Sequence, residues 1–118
     1  MKNNELIKVS LMKTLIYLPN VLKSKYRVEI LNLLKNKKKT IMELSDKFKY
    51  KFHCDNNRYK NTYINVKLLE KLGFIKTEKY EDTQGKKVYV SLTGKNINDI
   101  QYELELKLKK LLAVQQGD

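Results

Sequence analysis

Residues 68–75 read LLEKLGFI, residues 81–85 read EDTQG, and residues 88–94 read VYVSLTG. Before Gly73 the apolar residues recur every three or four positions, and after it they alternate with polar residues. The segment EDTQG is typical of a tight turn between two strands. This stretch therefore predicts a helix that ends at Gly73, followed by a β-hairpin with a charged tip.

Four helices are predicted before the hairpin and one after it. Pro19 should end the first helix, because proline has no N–H and its ring clashes with the preceding turn. Thr40 and Glu43 have the spacing of a capping box at the start of a short third helix, and Thr93 should cap the last helix. The five predicted helices cover residues 3–18, residues 24–36, a short segment from Thr40, a segment from a cap at 55–57 to Leu72, and residues 93–115.

Together, the stretch 68–75, the hairpin and the Leu92-Thr93 pair resemble the winged helix-turn-helix of the MarR, PadR and ArsR families of dimeric transcription regulators. In these families the recognition helix ends in a Leu-Glu-x-x-Gly-aliphatic-Ile pattern, and the second wing strand ends in Leu-Thr. The resemblance covers about residues 26–95. It implies a single domain, mainly α with a small β-hairpin wing (α+β), with dimerisation helices at 3–18 and 93–115 around a core at 24–92.

The charge of the chain is positive and clustered. Lys and Arg number 25 against 13 Asp and Glu, and residues 23–60 hold 12 basic against 4 acidic side chains. A patch of one sign attracts a phosphate backbone, so double-stranded DNA is the expected partner. Cys54 is the single cysteine, which favours a reducing compartment. With no long apolar run, we expect a cytoplasmic, nucleoid-associated protein.

The helix that ends at Gly73 corresponds to the recognition helix, which lies in the major groove of DNA in the resembling families. Asn can bind adenine through two hydrogen bonds, Lys can bind guanine or phosphate, and apolar side chains contact thymine methyl groups. We expect this helix to contact DNA through Asn57, Arg58, Lys60, Asn61, Tyr63, Ile64 and Asn65. We expect the wing and phosphate contacts to come from Thr40, Lys79, Lys86 and Lys87.

Some of these residues have a structural alternative. Asn57 is favoured as a helix cap over a base contact, and Ile64 can pack against the hairpin. Asn61 and Asn65 have no evident structural role in the sequence, so they are the stronger candidates for base contact. The core side of the helix is expected to carry Tyr59, Thr62, Tyr63, Val66 and Leu69.

The first and last helices each carry apolar residues on more than one side. A helix of this kind is usually buried on more than one side, which in a small chain indicates a partner subunit. The expected interface of a homodimer consists of Leu6, Val9, Met12, Ile16, Tyr102 and Leu106.

Residues 47–55 read KFKYKFHCD and separate the third helix from the fourth by more than the usual short turn. Alternating lysines and aromatic rings can bind single-stranded nucleic acid, but we favour Phe48 and Phe52 as core residues. His53 and Cys54 are the only histidine and cysteine, too few for a tetrahedral zinc site. The sequence has no phosphate loop or paired catalytic carboxylates, so no cofactor, no metal and no enzymatic activity is expected.

The favoured function is therefore a sequence-specific transcription regulator. One alternative is a centromere-binding adaptor of a plasmid or virus partition system, which would also bind a partner protein. Another is an architectural chromatin protein without sequence preference. A protein-interaction module is disfavoured by the positive charge of residues 23–60.

Overall fold

The computed structural model of the protein describes residues 3–52 and 58–116, with side chains for residues 3–48 and 59–113. Five helices and three strands are present in these residues. In chain order they are α1 (Asn3–Val21), α2 (Lys25–Leu33), β1 (Lys39–Thr40), α3 (Ile41–Phe52), α4 (Arg58–Leu72), β2 (Ile75–Asp82), β3 (Gly85–Leu92) and α5 (Ile97–Gln116). The predicted mainly helical architecture with a small hairpin is confirmed.

Helix α1 continues through Pro19 to Val21, so the predicted end at residue 18 is wrong. Leu18 and Val21 are buried in the core, 1% and 0% exposed. Burying a Val or Leu side chain stabilises the folded state by about 1.5–3 kcal/mol, and α1 buries two of them here. This gain is comparable to or larger than the cost of a proline inside a helix, which is about 3 kcal/mol for the lost hydrogen bond and the ring clash together.

The capping box at the start of α3 is confirmed. The Thr40 backbone N–H donates to Glu43 Oε1, and the Glu43 N–H donates to Thr40 Oγ1, both at 3.1 Å. Helix α3 is not short, however, because it extends to Phe52 and includes much of the lysine–aromatic segment. Phe48 is a core residue, 1% exposed, with its ring 5.7 Å from that of Tyr26. The side chain of Phe52 and residues 53–57, including His53 and Cys54, lie outside the described residues.

Helix α4 ends at Gly73, as predicted. Gly73 has a φ of +100°, and its N–H donates to the carbonyl of Leu69 at 3.1 Å. The Phe74 N–H donates to the same carbonyl at 3.0 Å. The Gly73 N–H also lies 3.1 Å from the carbonyl of Glu70, so these bonds satisfy two carbonyls at the end of the helix, where the chain turns into β2.

The sheet has three strands in the order β1-β3-β2, all antiparallel. The hairpin register pairs Ile75 with Leu92 at the base and Asp82 with Gly85 at the tip. Strand β1 pairs Lys39 with Val90 and Thr40 with Tyr89. This two-residue strand was not predicted, because it is too short to show an alternating pattern.

Helix α5 begins at Ile97, and its cap is Asn96 rather than the predicted Thr93. The Asp99 N–H donates to Asn96 Oδ1 at 2.9 Å, and the Asn96 N–H donates to Asp99 Oδ2 at 3.0 Å. Thr93 instead lies against the end of α4, where its hydroxyl donates to the carbonyl of Gly73 at 2.6 Å. Thr93 therefore ties the end of the wing to the end of α4.

One apolar core joins all the helices to the sheet. Its buried residues are Leu18, Val21, Ile30, Leu34, Ile41, Leu44, Phe48, Val66, Leu69, Phe74, Ile75, Val90 and Ile100. Two small polar side chains, Ser45 of α3 and Thr62 of α4, are also buried, and these two helices pack against each other. Within the described residues the Ser45 hydroxyl has no hydrogen-bond partner. None of the described helices has the length and hydropathy needed to cross a membrane.

Replacement of Gly73 by Ala should destabilise the fold. An added Cβ would meet Ile100 only at an ordinary 3.9 Å, so the cost comes from the positive φ, about 1–2 kcal/mol for a residue with a Cβ. Urea denaturation measures this loss. Gly73→Asn is the matched control and should lose less, because Asn tolerates positive φ better than Ala does. Equal losses for the two variants would contradict a conformational origin.

Candidate nucleic-acid interface

The orientation of α4 is set by the residues that it buries. Thr62, Val66 and Leu69 are each 0% exposed. At 100° per residue, the opposite side of the helix carries Lys60, Ile64, Lys67 and Lys71, all of which are exposed. Lys60 and Ile64 were predicted for this surface. Lys67 and Lys71 were missed, although they continue the same spacing of four, three and four positions.

The two tyrosines of α4 do not point into the core as expected. Tyr59 is 47% exposed and Tyr63 is 44% exposed. The ammonium group of Lys67 lies 5.5 Å from the centre of the Tyr63 ring, a cation–π distance. Tyr63 therefore lies at the edge of the outward side, where it can make the apolar contact that the sequence suggested.

The two predicted asparagines differ in their surroundings. Asn61 is exposed, whereas Asn65 is half-buried. The Asn65 Nδ2 group donates to the carbonyl of Asn61 at 2.8 Å, and Asn65 Oδ1 accepts from Arg27 Nε at 3.1 Å. The expectation that Asn65 has no structural role is therefore wrong. Asn57 and the side chain of Arg58 fall outside the described residues.

A cleft of about 420 Å³ separates the start of α3 from the hairpin. It is lined by Thr40, Ile41, Met42, Glu43, Tyr59, Lys86, Lys87, Val88 and Tyr89. Three of the four predicted phosphate-contacting residues, Thr40, Lys86 and Lys87, thus meet at one cleft. Tyr59 brings the first turn of α4 to the same place.

The carboxylate of Glu43 closes the capping box on one wall of this cleft. The hydrogen bond from the Thr40 backbone N–H holds the pKa of Glu43 below its ordinary value, against a smaller opposing effect of burial. Lys39 and Lys37 lower the pKa further by charge attraction. Thr40 Oγ1 accepts from the Glu43 N–H, and the Thr40 side chain also hydrogen-bonds to the Glu43 carboxylate, which lowers its pKa as well.

The lysines of the wing are distributed over both of its faces. Lys86 pairs across the hairpin with Glu81, and Lys87 pairs with Tyr80, so the two side chains leave opposite faces. The fourth predicted residue, Lys79, lies with Lys86 and Lys87 along a second, shallow cleft of about 360 Å³ at the outer part of the hairpin. We call Lys79, Lys86 and Lys87 the basic rim of the wing; it extends over both faces of the hairpin, and Glu81 lines the same cleft.

An aromatic cluster supports this rim. The rings of Tyr80 and Tyr89 meet edge to face at 5.3 Å, and the ammonium of Lys38 lies 5.1 and 5.0 Å from their centres. The Tyr80 hydroxyl donates to Glu78 at 2.7 Å. These contacts join the loop before β1 to the middle of the wing.

The residues predicted for a dimer interface are all exposed in the single chain. On α1, Ile16 is 75% and Leu6 is 69% exposed, and on α5, Tyr102 is 66% exposed. The other three, Val9, Met12 and Leu106, are 40–44% exposed. Helices α1 and α5 pack against each other, and these six side chains remain as exposed apolar surface on the two helices.

The described residues contain no group of three or more His, Cys, Asp or Glu side chains that could hold a metal ion. This surface consists of an exposed helix side beside a hairpin with three lysines.

Two solved structures share the fold. A PadR family transcription regulator from Clostridium difficile superposes with a TM-score of 0.54 at 16% identity, over 80% of this chain and 100% of the other. A protein described as a MarR family transcriptional regulator from Enterococcus faecalis gives 0.52 at 16% identity, over 90% and 86% of the two chains. No protein-family profile matches the chain, and no curated protein matches its sequence. The predicted winged helix-turn-helix fold is confirmed.

The capping box predicts an acid-sensitive component of stability. Because the pKa of Glu43 in the folded chain lies below the ordinary 4.5, its contribution is present above pH 4.5 and is lost as the pH falls through the folded value. Glu43→Gln keeps a side-chain acceptor for the Thr40 N–H but cannot titrate. The difference in unfolding free energy between the parent and Glu43→Gln should therefore shrink as the pH falls below 4.5.

Urea denaturation at several pH values between 3 and 6 measures this difference. Asp46→Asn, which removes another carboxylate of α3, serves as the matched control for the loss of a negative charge. A parent–variant difference that is constant with pH would contradict the assignment to Glu43.

Proposed function

We propose that the protein is a dimeric, sequence-specific binder of double-stranded DNA that regulates transcription. The main support for this proposal is that the outward side of α4 lies next to the cleft at the wing. Lys60, Ile64 and Lys67 lie on α4, and the first turn of the same helix borders the cleft that ends at Lys86 and Lys87. A helix flanked by a basic rim matches a major groove flanked by phosphates.

Helix α4 is proposed to lie in the major groove. There, Asn61 can contact adenine, and Lys60 can contact guanine or phosphate. Ile64 is 53% exposed, more than a residue packed against the hairpin would be, and with Tyr63 it is suited to thymine methyl groups. Asn57 and Arg58 remain proposed contacts at the start of the helix.

The wing and the start of α3 are proposed to bind the sugar–phosphate backbone. The hydroxyl of Thr40 and the ammonium groups of Lys79, Lys86 and Lys87 are suited to phosphate oxygens. Because Lys86 and Lys87 leave opposite faces of the hairpin, the wing can engage phosphates on both walls of a minor groove.

The exposed apolar sides of α1 and α5 are proposed to pair two chains. A two-fold dimer presents one recognition helix to each half of a palindromic site, with half-sites about one helical turn apart. The proposal makes the protein a cytoplasmic, nucleoid-associated binding protein and not an enzyme. A partition adaptor would use the same surface on repeated sites and would also bind a partner protein.

The two kinds of DNA contact should respond differently to substitution. Asn61→Ala should cost about 1–3 kcal/mol on the selected site and relax the preference at one base pair. Lys86→Ala and Lys87→Ala should weaken binding about equally on all duplexes and reduce the dependence of affinity on salt concentration. Titrations of selected and scrambled duplexes at about 50 and about 200 mM salt measure both effects. Over this range, the affinity that comes from phosphate contacts falls steeply.

Lys107→Ala, on the exposed surface of α5, is the control for the loss of one positive charge. If the parent binds selected and scrambled duplexes equally well, the result would contradict a sequence-specific regulator and support an architectural protein instead. Affinity that does not change with salt would contradict the whole surface assignment.

Introducing charge into the apolar sides of α1 or α5 should separate the dimer. Ile16→Glu and Leu106→Glu each place a carboxylate where two chains are proposed to meet, which costs several kcal/mol if it is desolvated. Sedimentation should give a dimer for the parent and monomers for these variants, with weaker binding to a palindromic duplex. Lys107→Glu is the control and should remain dimeric. A monomeric parent at micromolar concentration would contradict the dimer.

A further inference from the structure

Three helices meet at one guanidinium group. Arg27 of α2 is one of only two arginines in the chain. Its Nη1 donates to the carbonyl of Val21 at 3.2 Å, and its Nε donates to Asn65 Oδ1 at 3.1 Å. Its Cζ lies 5.8 Å from the centre of the Tyr17 ring. Arg27 thus contacts the last turns of α1 and the middle of α4 at the same time.

The chemistry of the three contacts requires arginine. Val21 is the last residue of α1, and a carbonyl at this position has no partner within the helix. The guanidinium is planar and holds several N–H donors in fixed directions, whereas the ammonium of a lysine is a single point with rotatable donors. A guanidinium with two bonds in different directions therefore fixes the position of one helix end relative to the other helix.

Asn65 is held in the orientation that this bond requires. Its Nδ2 group is used by the carbonyl of Asn61, one turn earlier in α4, which leaves Oδ1 directed at Arg27. Both polar atoms of the side chain are engaged within the protein. Asn65 also lies about 100° around the helix from Ile64, on the half-buried side towards α2.

We propose that Arg27 is a positioning residue that fixes the recognition helix α4 to α1, and that Asn65 influences DNA recognition through Arg27 rather than by contacting a base. This inference rests on the proposed function. If α1 packs against a second chain, the Arg27 contacts set how far apart the two copies of α4 lie. They therefore set the separation of the half-sites that the dimer accepts.

The test uses the full chain and the palindromic duplex selected by the parent, together with duplexes lengthened or shortened by one base pair between the half-sites. Arg27→Lys keeps the charge but not the fixed pair of donors. It should lower the preference for the selected spacing by about tenfold, within the usual range for coupling between two sites. Loss of stability alone would lower the melting temperature without changing the preferred spacing.

Substitutions of Asn65 separate positioning from base contact. Asn65→Gln keeps both an acceptor for Arg27 Nε and a donor for the Asn61 carbonyl, and should retain more of the spacing preference than a variant that lacks both groups. Asn65→Leu removes the acceptor and should lose the spacing preference as Arg27→Lys does. If Asn65 contacts a base instead, Asn65→Leu will lose the preference at one base pair while Arg27→Lys keeps it, and this result would overturn the inference. Lys23→Ala, beside the end of α1, is the charge control and should behave as the parent.

A second measurement needs no DNA. With Cys54 replaced by Ser, spin labels on cysteines introduced at Asn4 of α1 and Lys71 of α4, both exposed, give the distance distribution between the two helices. Arg27→Lys and Arg27→Ala should broaden this distribution, and Lys23→Ala should not. A parent chain that binds no duplex would refute the proposed function while this measurement still tests Arg27. An unchanged distribution in both Arg27 variants would overturn the positioning role.

Discussion

The burial of one side of α4 is the constraint on which the rest of the molecule depends. Val66 and Leu69 occupy the centre of the core, and a rigid helix that buries these residues must turn its opposite side outward. Because the same helix ends at Gly73 and leads directly into the hairpin, the position of the wing follows from the same packing. The basic rim and the cleft are therefore consequences of an apolar contact that contains no charge.

Helix α4 is held against its neighbours by polar contacts at two further points. Asn65 accepts from Arg27 on the side of α2. On the side of the sheet, Glu70 accepts a hydrogen bond from the Thr77 hydroxyl, and this bond is the main reason that the pKa of Glu70 lies below its ordinary value. Within α4 itself, the ammonium group of Lys67 pairs with the Glu70 carboxylate at 3.4 Å. A helix fixed in this way can present its outward side with little loss of conformational freedom on binding.

Sequence patterns predicted the elements better than their exact ends and surroundings. The change of period at Gly73 was sufficient to predict α4 and the hairpin, because both signals are local. The end of α1 and the cap of α5 were wrong because each depends on distant residues. Leu18 and Val21 extend α1 by packing into the core, and Thr93 is diverted from capping to the carbonyl of Gly73.

The role of Asn65 could not be predicted, since Arg27 lies 38 positions away in the chain. Periodicity placed Tyr59 and Tyr63 on the core side, but a core of this size accepts only the narrower row of Thr62, Val66 and Leu69.

The buried Ser45 has a consequence for how this protein can diverge. The distance between two packed helices depends on the size of the side chains between them, and Ser45 and Thr62 are among the smallest buried side chains of α3 and α4. Helices α3 and α4 pack against each other and each carries one of these buried side chains, so a larger residue at either position would overpack the core around it. The orientation of the exposed side of α4 thus depends on residues that are themselves buried. Substitutions on the exposed side of α4 can leave this packing intact, whereas a larger side chain at Ser45 would disturb the core on which the position of that exposed side depends.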